Sequence, residues 1–292
     1  MKTEFLDECA VCCNHVIEVL DADCNIVKCT ACGFIFDNPR PTQEELVRFY
    51  SQPSKYDLWL TELGPRETVW KRRLRMLLPY KKPGSLLDVG TGIGQFLSLA
   101  RKSFTQVFGT EVSTTAVKIA KDRFQLDLFQ GSIEDLEEAG STFDNITLFH
   151  VLEHVPNPRL TIETCHSLLS PGGMLVIAVP NEIASLRTFV RRSLNFLGLR
   201  KQDGLGKFGV PRIELNPSTP EVHLSHFTRN VLLTLLKTTG FSVAMSTLDP
   251  YRLKTGLSRL KPEAYYYFCL GFLRIFQINL FDTIFVVAHK NR

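Results

Sequence analysis

Residues 85–94 read "SLLDVGTGIG", a short apolar run carrying one acid and then glycines at alternate positions, Gly90, Gly92 and Gly94. Glycine is required where a backbone must take positive φ or approach a ligand so closely that a Cβ would collide. An amphipathic pattern begins at Gln95, so the unit is predicted as strand, glycine turn and helix, the order that makes a ligand cradle. The spacing is G-x-G-x-G. It differs from the G-x-G-x-x-G of the dinucleotide fingerprint and is not followed by the Lys-Ser/Thr of a P-loop.

The alternation continues downstream. "QVFGTEVS" reads as a second strand ending in Glu111, where an acid can accept two hydrogen bonds from the vicinal hydroxyls of a ribose. A helix is expected from Thr114 or Thr115, a third strand and loop in "DLFQGSIEDL", and a fourth strand in "STFDNITLFHVLEHVPNP". "LTIETCHSLLSPGGMLVIAVPN" supplies a helix, a Pro-Gly-Gly turn and a fifth strand. Such alternation predicts an α/β chain with an open parallel sheet, helices on both faces, and a ligand beyond the carboxyl ends of the strands.

Six of the eight cysteines precede residue 33. Cys9 and Cys12 form one C-x-x-C and Cys29 and Cys32 a second, at a separation suited to a four-thiolate Zn2+ site. Gly33 follows the last of them where the chain must turn, and "HVIEVL" and "NIVKC" read as short strands, so residues 1–38 are predicted as a zinc ribbon. Cys13 and Cys24 are left over as bystander thiols or small hydrophobes. From Met1 to Asp37 seven acidic residues face two basic ones, a balance that repels a phosphate backbone and argues against nucleic acid as partner. The ribbon therefore reads as structural or substrate-docking, folded by its metal.

The 292 residues, 44% hydrophobic and 22% charged, have an ordinary globular composition. The start "MKTEFLDECA" lacks the basic-then-apolar pattern of a secretory signal, and no window reaches the ~18 apolar residues of a membrane span. A cytoplasmic protein is expected.

Residues 39–84 are expected to hold a linker at Pro39 and Pro41 and a helix from Glu44 to Tyr50, capped by Thr42 with Glu45 three residues on. A second helix is expected from about Glu67 to Leu78, its basic residues a solvated face.

Taken together, "LLDVGTGIG", "TEVS", "FDNITLFHVLEHVPNP", "LLSPGGMLVIAVPN", "HLSHFT" and the closing "DTIFVVAHK" resemble the class I S-adenosylmethionine-dependent methyltransferases, in the branch of ubiquinone-biosynthesis and sugar methyltransferases. The resemblance covers roughly Ser85 to Phe241 and implies a Rossmann-like, seven-stranded, mostly parallel sheet in residues 85–292, using S-adenosylmethionine as cofactor. It implies that Asp88 and the loop Gly90, Thr91, Gly92 and Gly94 sit against the methionine part of the cofactor. Glu111, with Val112 beside it, would hold the ribose, Ser132 and Ile133 would flank the adenine, and His150 would line the methionine side. The family commonly carries an acid just after the glycine of "QGSIEDL"; this chain has Ser132, whose hydroxyl accepts more weakly.

A sulfonium methyl is already activated, so a base is needed only when the acceptor holds its proton tightly. The candidates are His154, His223 and His226, each with a bland alternative: His154 bracing its loop, His226 capping a helix near Thr228. Glu153 is open between fixing the loop and acting in the site. Leu186 to Arg212, within a basic insertion at about 182–220, holds seven basic residues and one acid, as a lid admitting an acidic substrate would. It reads equally as a solvated helix or as an interfacial helix with Leu186, Phe189, Val190, Leu194 and Leu197 on one face. The aromatic-rich segment at about 257–281 reads as a core or oligomer-interface helix, with peripheral membrane contact or a lipid-linked substrate as the secondary reading. The function expected is methyl transfer to a small-molecule or glycan-like acceptor, including a phosphate-bearing one. The rivals are an RNA or protein methyltransferase and a non-catalytic cofactor-binding protein whose ribbon docks a partner.

Overall fold

The computed structural model describes residues 1–137, 140–198, 206, 210, 212–216, 218–249 and 260–291. The chain opens with strands β1 (Thr3–Glu4), β2 (Ile17–Asp21), β3 (Ile26–Cys29), β4 (Ile35–Asp37) and β5 (Arg40–Pro41). Helices α1 (Gln43–Tyr50), α2 (Asp57–Thr61) and α3 (Leu63–Leu77) follow. The alternating part then runs β6 (Ser85–Val89), α4 (Gln95–Ala100), β7 (Gln106–Glu111), α5 (Thr114–Phe124), β8 (Phe129–Gln130), α6 (Ile133–Glu137), β9 (Phe143–Phe149), α7 (Pro158–Leu168) and β10 (Leu169–Pro180). It closes with α8 (Leu186–Phe196), β11 (Ser225–His226), α9 (Arg229–Thr238), β12 (Phe241–Thr247), α10 (Leu260–Phe276) and β13 (Thr283–Lys290).

Seven strands form one sheet in the order β12-β13-β10-β9-β6-β7-β8, parallel except where β13 pairs antiparallel with β10 and β12. The Rossmann-like, mostly parallel α/β sheet expected from the sequence is thus present. The chain steps outward from β6 through β7 to β8, then returns to the other side of β6 with β9. This reversal leaves a crevice at the carboxyl ends of β6 and β9, where ligands bind in sheets of this kind.

Strand side chains alternate between the two faces, and the core divides accordingly. Leu87, Ile146, Leu148, Ile177 and Val286 pack on one side with α7 and α9. Leu86, Met174, Val176, Phe285 and Val287 pack on the other with α3 and α4. The ribbon joins the first face: Cys9, Val11, Phe34 and Phe36 lie in the same buried cluster as Ile162, Phe227 and Val231. Its sheet, ordered β11-β4-β3-β2, takes its edge strand β11 from the far part of the chain. The ribbon is consequently a built-in wall of the large unit, which charge and spacing could not reveal.

Four local expectations are corrected. The Pro39–Pro41 linker includes β5, paired antiparallel with β1. Thr42 sits at the start of α1 without a side-chain cap bond, and Glu45 pairs with Arg48 instead. The basic face of the second helix is not solvated throughout, because Arg73 is buried. The Pro-Gly-Gly turn lies within β10 at a register shift, Gly172 taking φ +71°. Among the described residues no helix is long and apolar enough to cross a membrane.

Candidate active site

A cavity of about 850 Å³ opens at the crevice between β6 and β9. At one end it is lined by Gly90, Gly92, Glu111, Val112, Ser132 and Ile133, at the other by His150, His154, Glu182, Glu221 and His223.

The first end is held by backbone. Gly90, Gly92 and Gly94 take φ of +62°, +57° and +84°, a region that L-residues with a Cβ avoid. A Cβ on Gly92 would stand 2.8 Å from the ring of Trp59, and one on Gly90 2.6 Å from Val151. Glu111 turns back over this loop, Oε2 accepting from Gly92 N–H at 2.7 Å and Oε1 from Ser113 N–H at 2.9 Å. Burial raises the Glu111 pKa, opposed by those N–H groups. Asp88, Thr91 and Gly94 shape the loop from behind and do not line the cavity. The Asp88 carboxylate accepts from Thr91 and Thr147 hydroxyls, both at 2.6 Å, and burial pushes its pKa up to about 7. Gly94 starts α4 at a point where a Cβ would meet Leu126.

Position 132 carries no acid, but an acid stands three residues later beside it. Asp135 Oδ2 accepts from Ser132 N–H at 2.8 Å and from its hydroxyl at 2.9 Å, and both residues line the cavity. Asp135 was not singled out in the sequence, where "SIED" reads only as a helix start. The roof of this end, Tyr56, Trp59 and Arg66, also went unread; Arg66 stacks on Trp59 at 4.2 Å. An amphipathic pattern cannot tell a helix facing a cavity from one facing a core.

The other end is held by side chains. His150 directly follows β9 at φ +58°, strained for a residue with a Cβ. Its Nε2 lies 3.2 Å from Asp249 and its Nδ1 3.2 Å from Glu153. Asp249 is also in a buried ion pair with Arg73. Burial opposes the charge of Asp249, but Arg73 and His150 bring its pKa to about 2.

After His150 the chain turns sharply, and Asn157 caps α7 with Pro158 at its first position. That turn presents Glu153 and His154. His154 Nδ1 lies 2.6 Å from the Val222 carbonyl, which only accepts, so Nδ1 carries the proton and Nε2 the lone pair. Burial lowers the His154 pKa. The 222–225 segment is tied to the same turn, since Leu224 and Ser225 N–H both donate to the Glu153 carbonyl. His223 Nδ1 then meets Glu182 at 2.8 Å. Burial works against its charge, but Glu182 outweighs that and raises its pKa to about 9.

His226 is placed elsewhere. It is buried and off the cavity, Nδ1 3.0 Å from Glu182 and Nε2 3.1 Å from Asp37 of the ribbon. It cannot touch an acceptor, which corrects its place among the base candidates. Nor does it cap α9, because Thr228 does so with its own hydroxyl. Asp37, His226, Glu182 and His223 form a chain of contacts from the ribbon to the cavity.

The ribbon cysteines converge as their spacing predicts. The Sγ atoms of Cys9, Cys12, Cys29 and Cys32 lie within 4.8 Å of one another. Two matched turns shape them: Cys13 N–H donates to Cys9 O and Gly33 N–H to Cys29 O, both at 2.9 Å, with φ +57° and +77°. This donor set suits a tetrahedral Zn2+. Cys13 is exposed and Cys24 buried.

The basic insertion lies partly outside the described residues. Within them, Arg187 pairs with Asp282 at 2.9 Å, while Phe189, Val190, Phe196 and Leu197 of the α8 segment are exposed. α10 buries Tyr266, Cys269 and Leu273 and exposes Tyr267, Phe268 and Ile275.

The sequence matches the family model described as a methyltransferase domain over residues 64–245. The ubiquinone biosynthesis O-methyltransferase of Xanthomonas axonopodis pv. citri (strain 306) is 39% identical over 151 residues, 48% of this chain and 62% of that protein. The protein of that name from Xanthomonas campestris pv. campestris (strain B100) is 38% identical over 107 residues, 34% of this chain and 44% of that one. The chain thus spans less than two thirds of the length of either relative. Among solved structures, magnesium protoporphyrin IX methyltransferase (ChlM) from Synechocystis PCC 6803 with bound SAH gives a TM-score of 0.53 at 14% identity, covering 85% of this chain and 100% of that one. The plantazolicin methyltransferase BpumL in complex with SAH gives 0.50 at 19%, covering 85% and 95%. At these identities the likeness is one of fold.

Proposed function

The chain belongs to the methyltransferase-domain family, the class I S-adenosylmethionine-dependent methyltransferases, and on that premise we propose that it methylates a hydroxyl group of a small or glycan-like acceptor. The observation that carries this reading is the single cavity running from the glycine loop to the histidine and carboxylate cluster after β9. On this reading residues 1–38 hold zinc, 39–84 roof the donor end, and 85–292 form the methyltransferase domain.

The residues at the first end fit the cofactor. Gly90 and Gly92 allow close approach, Glu111 offers carboxylate oxygens for ribose hydroxyls, and Asp135 together with Ser132 stands where an adenine amino group needs an acceptor. S-adenosylmethionine, when bound, supplies an activated methyl group. What remains for the protein is to orient the acceptor, exclude water and receive a proton. His154 Nε2 at the second end is the group of this chain that stands ready for that proton, and His223, held charged by Glu182, is suited to holding the acceptor oxygen. Glu182 and Glu221 line this end with Glu153 buried behind them, a set of carboxylates that favours a neutral hydroxyl acceptor over a phosphate-bearing one.

The test is turnover. Protein incubated with S-adenosylmethionine and a panel of neutral polyols, phenols and their phosphate esters should release SAH with the neutral acceptors. SAH binding by calorimetry with no SAH released from any acceptor would favour the binding-protein reading instead.

A further inference from the structure

Tyr50 ends α1 and lines the cavity. Leu46 and Phe49 bury the same helix against Val222 and Leu224, which carries the phenol ring to the wall of the second end. Its hydroxyl there engages one residue twice. Val222 N–H donates to the phenol oxygen at 3.1 Å, and the phenol O–H donates to the Val222 carbonyl at 3.2 Å. That same carbonyl takes the Nδ1 proton of His154 at 2.6 Å, and the phenol oxygen stands 3.1 Å from the same nitrogen. The two rings meet edge to face, 5.7 Å apart. Burial raises the Tyr50 pKa, so the hydroxyl keeps its proton.

A neutral imidazole carries its proton on one nitrogen or the other, and its hydrogen-bond partners decide which. A carbonyl beside Nδ1 selects the Nδ1–H form only while it stays within reach. Val222 lies outside regular strand structure, ahead of β11, and Tyr50 holds it by both N–H and C=O. The same tyrosine is fastened to the glycine-loop end. Its carbonyl, one of those a helix leaves unsatisfied at its end, accepts from the Ser113 hydroxyl at 2.8 Å, and the Ser51 carbonyl accepts from the Thr115 hydroxyl at 2.7 Å. Ser113 N–H in turn donates to Glu111 Oε1 at 2.9 Å. One residue therefore connects the carboxylate that fits the ribose with the imidazole that faces the acceptor.

We propose that Tyr50 is a positioning residue for methyl transfer: its hydroxyl fixes His154 in the Nδ1–H tautomer, which leaves Nε2 as the base, and its backbone keeps that base in register with the cofactor end. When Nε2 takes the acceptor proton, the second N–H of the imidazolium still has its carbonyl. The proposal deepens the hydroxyl-methylation reading and rests on it for the role of Nε2, whereas the tautomer does not depend on it. The charged groups around the ring are Glu153, His223 and Glu221, and none of them is altered by loss of the Tyr50 hydroxyl. Glu153 Oε1, 3.9 Å from Nε2, is too distant to draw the proton to that nitrogen.

The test is NMR of the full chain, loaded with zinc and labelled with 15N-histidine, reading each tautomer from its imidazole nitrogen shifts at pH about 8, above the ordinary histidine pKa. His154→Gln identifies the signal among seven histidines. His154 should show a protonated Nδ1 and a bare Nε2. In Tyr50→Phe, which keeps the ring and the backbone contacts, the two tautomers should mix, while SAH binding measured by calorimetry is retained and shows that the variant is folded. With an acceptor that turns over, kcat should fall about 10–100-fold and the KM for S-adenosylmethionine stay unchanged. Mixed tautomers or a bare Nδ1 in the unaltered chain, or a single Nδ1–H tautomer in Tyr50→Phe, overturns the proposal. Turnover that Tyr50→Phe leaves unchanged also overturns it and leaves the methyl-transfer reading standing. A tautomer that depends on Tyr50 in a chain that releases SAH with no acceptor keeps the anchoring of His154 and sinks the methyl-transfer reading.

Discussion

The glycine-loop end of the cavity draws its floor from one stretch, Gly90 to Asp135, shaped by positive-φ glycines and the Glu111 and Asp135 carboxylates, under a roof of Tyr56, Trp59 and Arg66. The other end draws Glu153 and His154 from the turn after β9, Glu182 from beyond β10, and His223 from the segment before β11. Behind them stand Asp249, near the last strand, and Asp37, in the ribbon. A donor end of this kind suits a ligand shared by many enzymes, because a local glycine cradle tolerates drift in the surrounding sequence. An acceptor end assembled from distant side chains can be altered piece by piece, and here it is tied to a second folding unit.

The largest expected effect probes that tie. Cys29→Ser should abolish stoichiometric zinc, and because β4 carries β11 at its edge, it should also loosen the segment holding His223. Structural zinc is worth about 10–16 kcal/mol in small zinc peptides, so a fall in Tm accompanied by loss of turnover is expected. SAH affinity, measured by calorimetry, should fall far less than turnover; an equal fall in both would break the distinction between the two ends.

Next comes Asp249→Ala. It leaves Arg73 buried without its carboxylate and should cost about 3–5 kcal/mol in chemical denaturation, as removal of one partner of a buried pair does. A cost near zero would mean that Arg73 finds another anion and that the acceptor end is less tightly packed than its contacts imply.

Glu111→Ala sharpens the donor side. Loss of a charged hydrogen-bond acceptor predicts SAH binding weaker by about 1.5–3 kcal/mol. Unaltered SAH affinity would remove Glu111 from the ribose assignment.

A smaller effect follows from pH. Burial alone would lower the His226 pKa, but Asp37 and Glu182 hold it up at about 9, above the unfolded value near 6.5. A raised histidine stabilises the fold fully below the unfolded pKa and loses that contribution as pH rises through the folded one. Tm should therefore decline between pH about 6.5 and about 9, and the decline should shrink in His226→Gln. An identical pH profile in the two proteins would exclude His226 as a charged link.

The smallest effect lies outside both ends. Phe196, 92% exposed on α8, should move stability by no more than about 0.5 kcal/mol when changed to Ser. A larger loss would indicate that this face is covered in solution.

Legibility differed between the ends for the reason that their construction differs. Gly90, Gly92 and Glu111 stood out because strand, glycine turn, helix and acid are local in sequence. Ser132, expected beside the adenine, lines the cavity together with Asp135, which the sequence does not single out because an acid early in a helix has an ordinary explanation at the N-terminus. His154 and His223 were found by residue type. His226 was found in the same way and misjudged, because nothing local announces a partner 189 residues away. Arg73 reads as solvated for the same reason: a basic helical pattern is the same whether it faces water or a buried carboxylate.

By itself the sequence determined the alternating α/β order, the glycine cradle and the pairing of four cysteines, because each rests on backbone geometry or ligand spacing within one short stretch. Only the tertiary structure decided that the ribbon walls the large unit, that His226 is a link and not a base, and that Glu153, His154 and His223 converge. Those outcomes depend on which side chains meet after the chain has folded, and on burial, which turns an ordinary carboxylate or imidazole into a partner that must be satisfied.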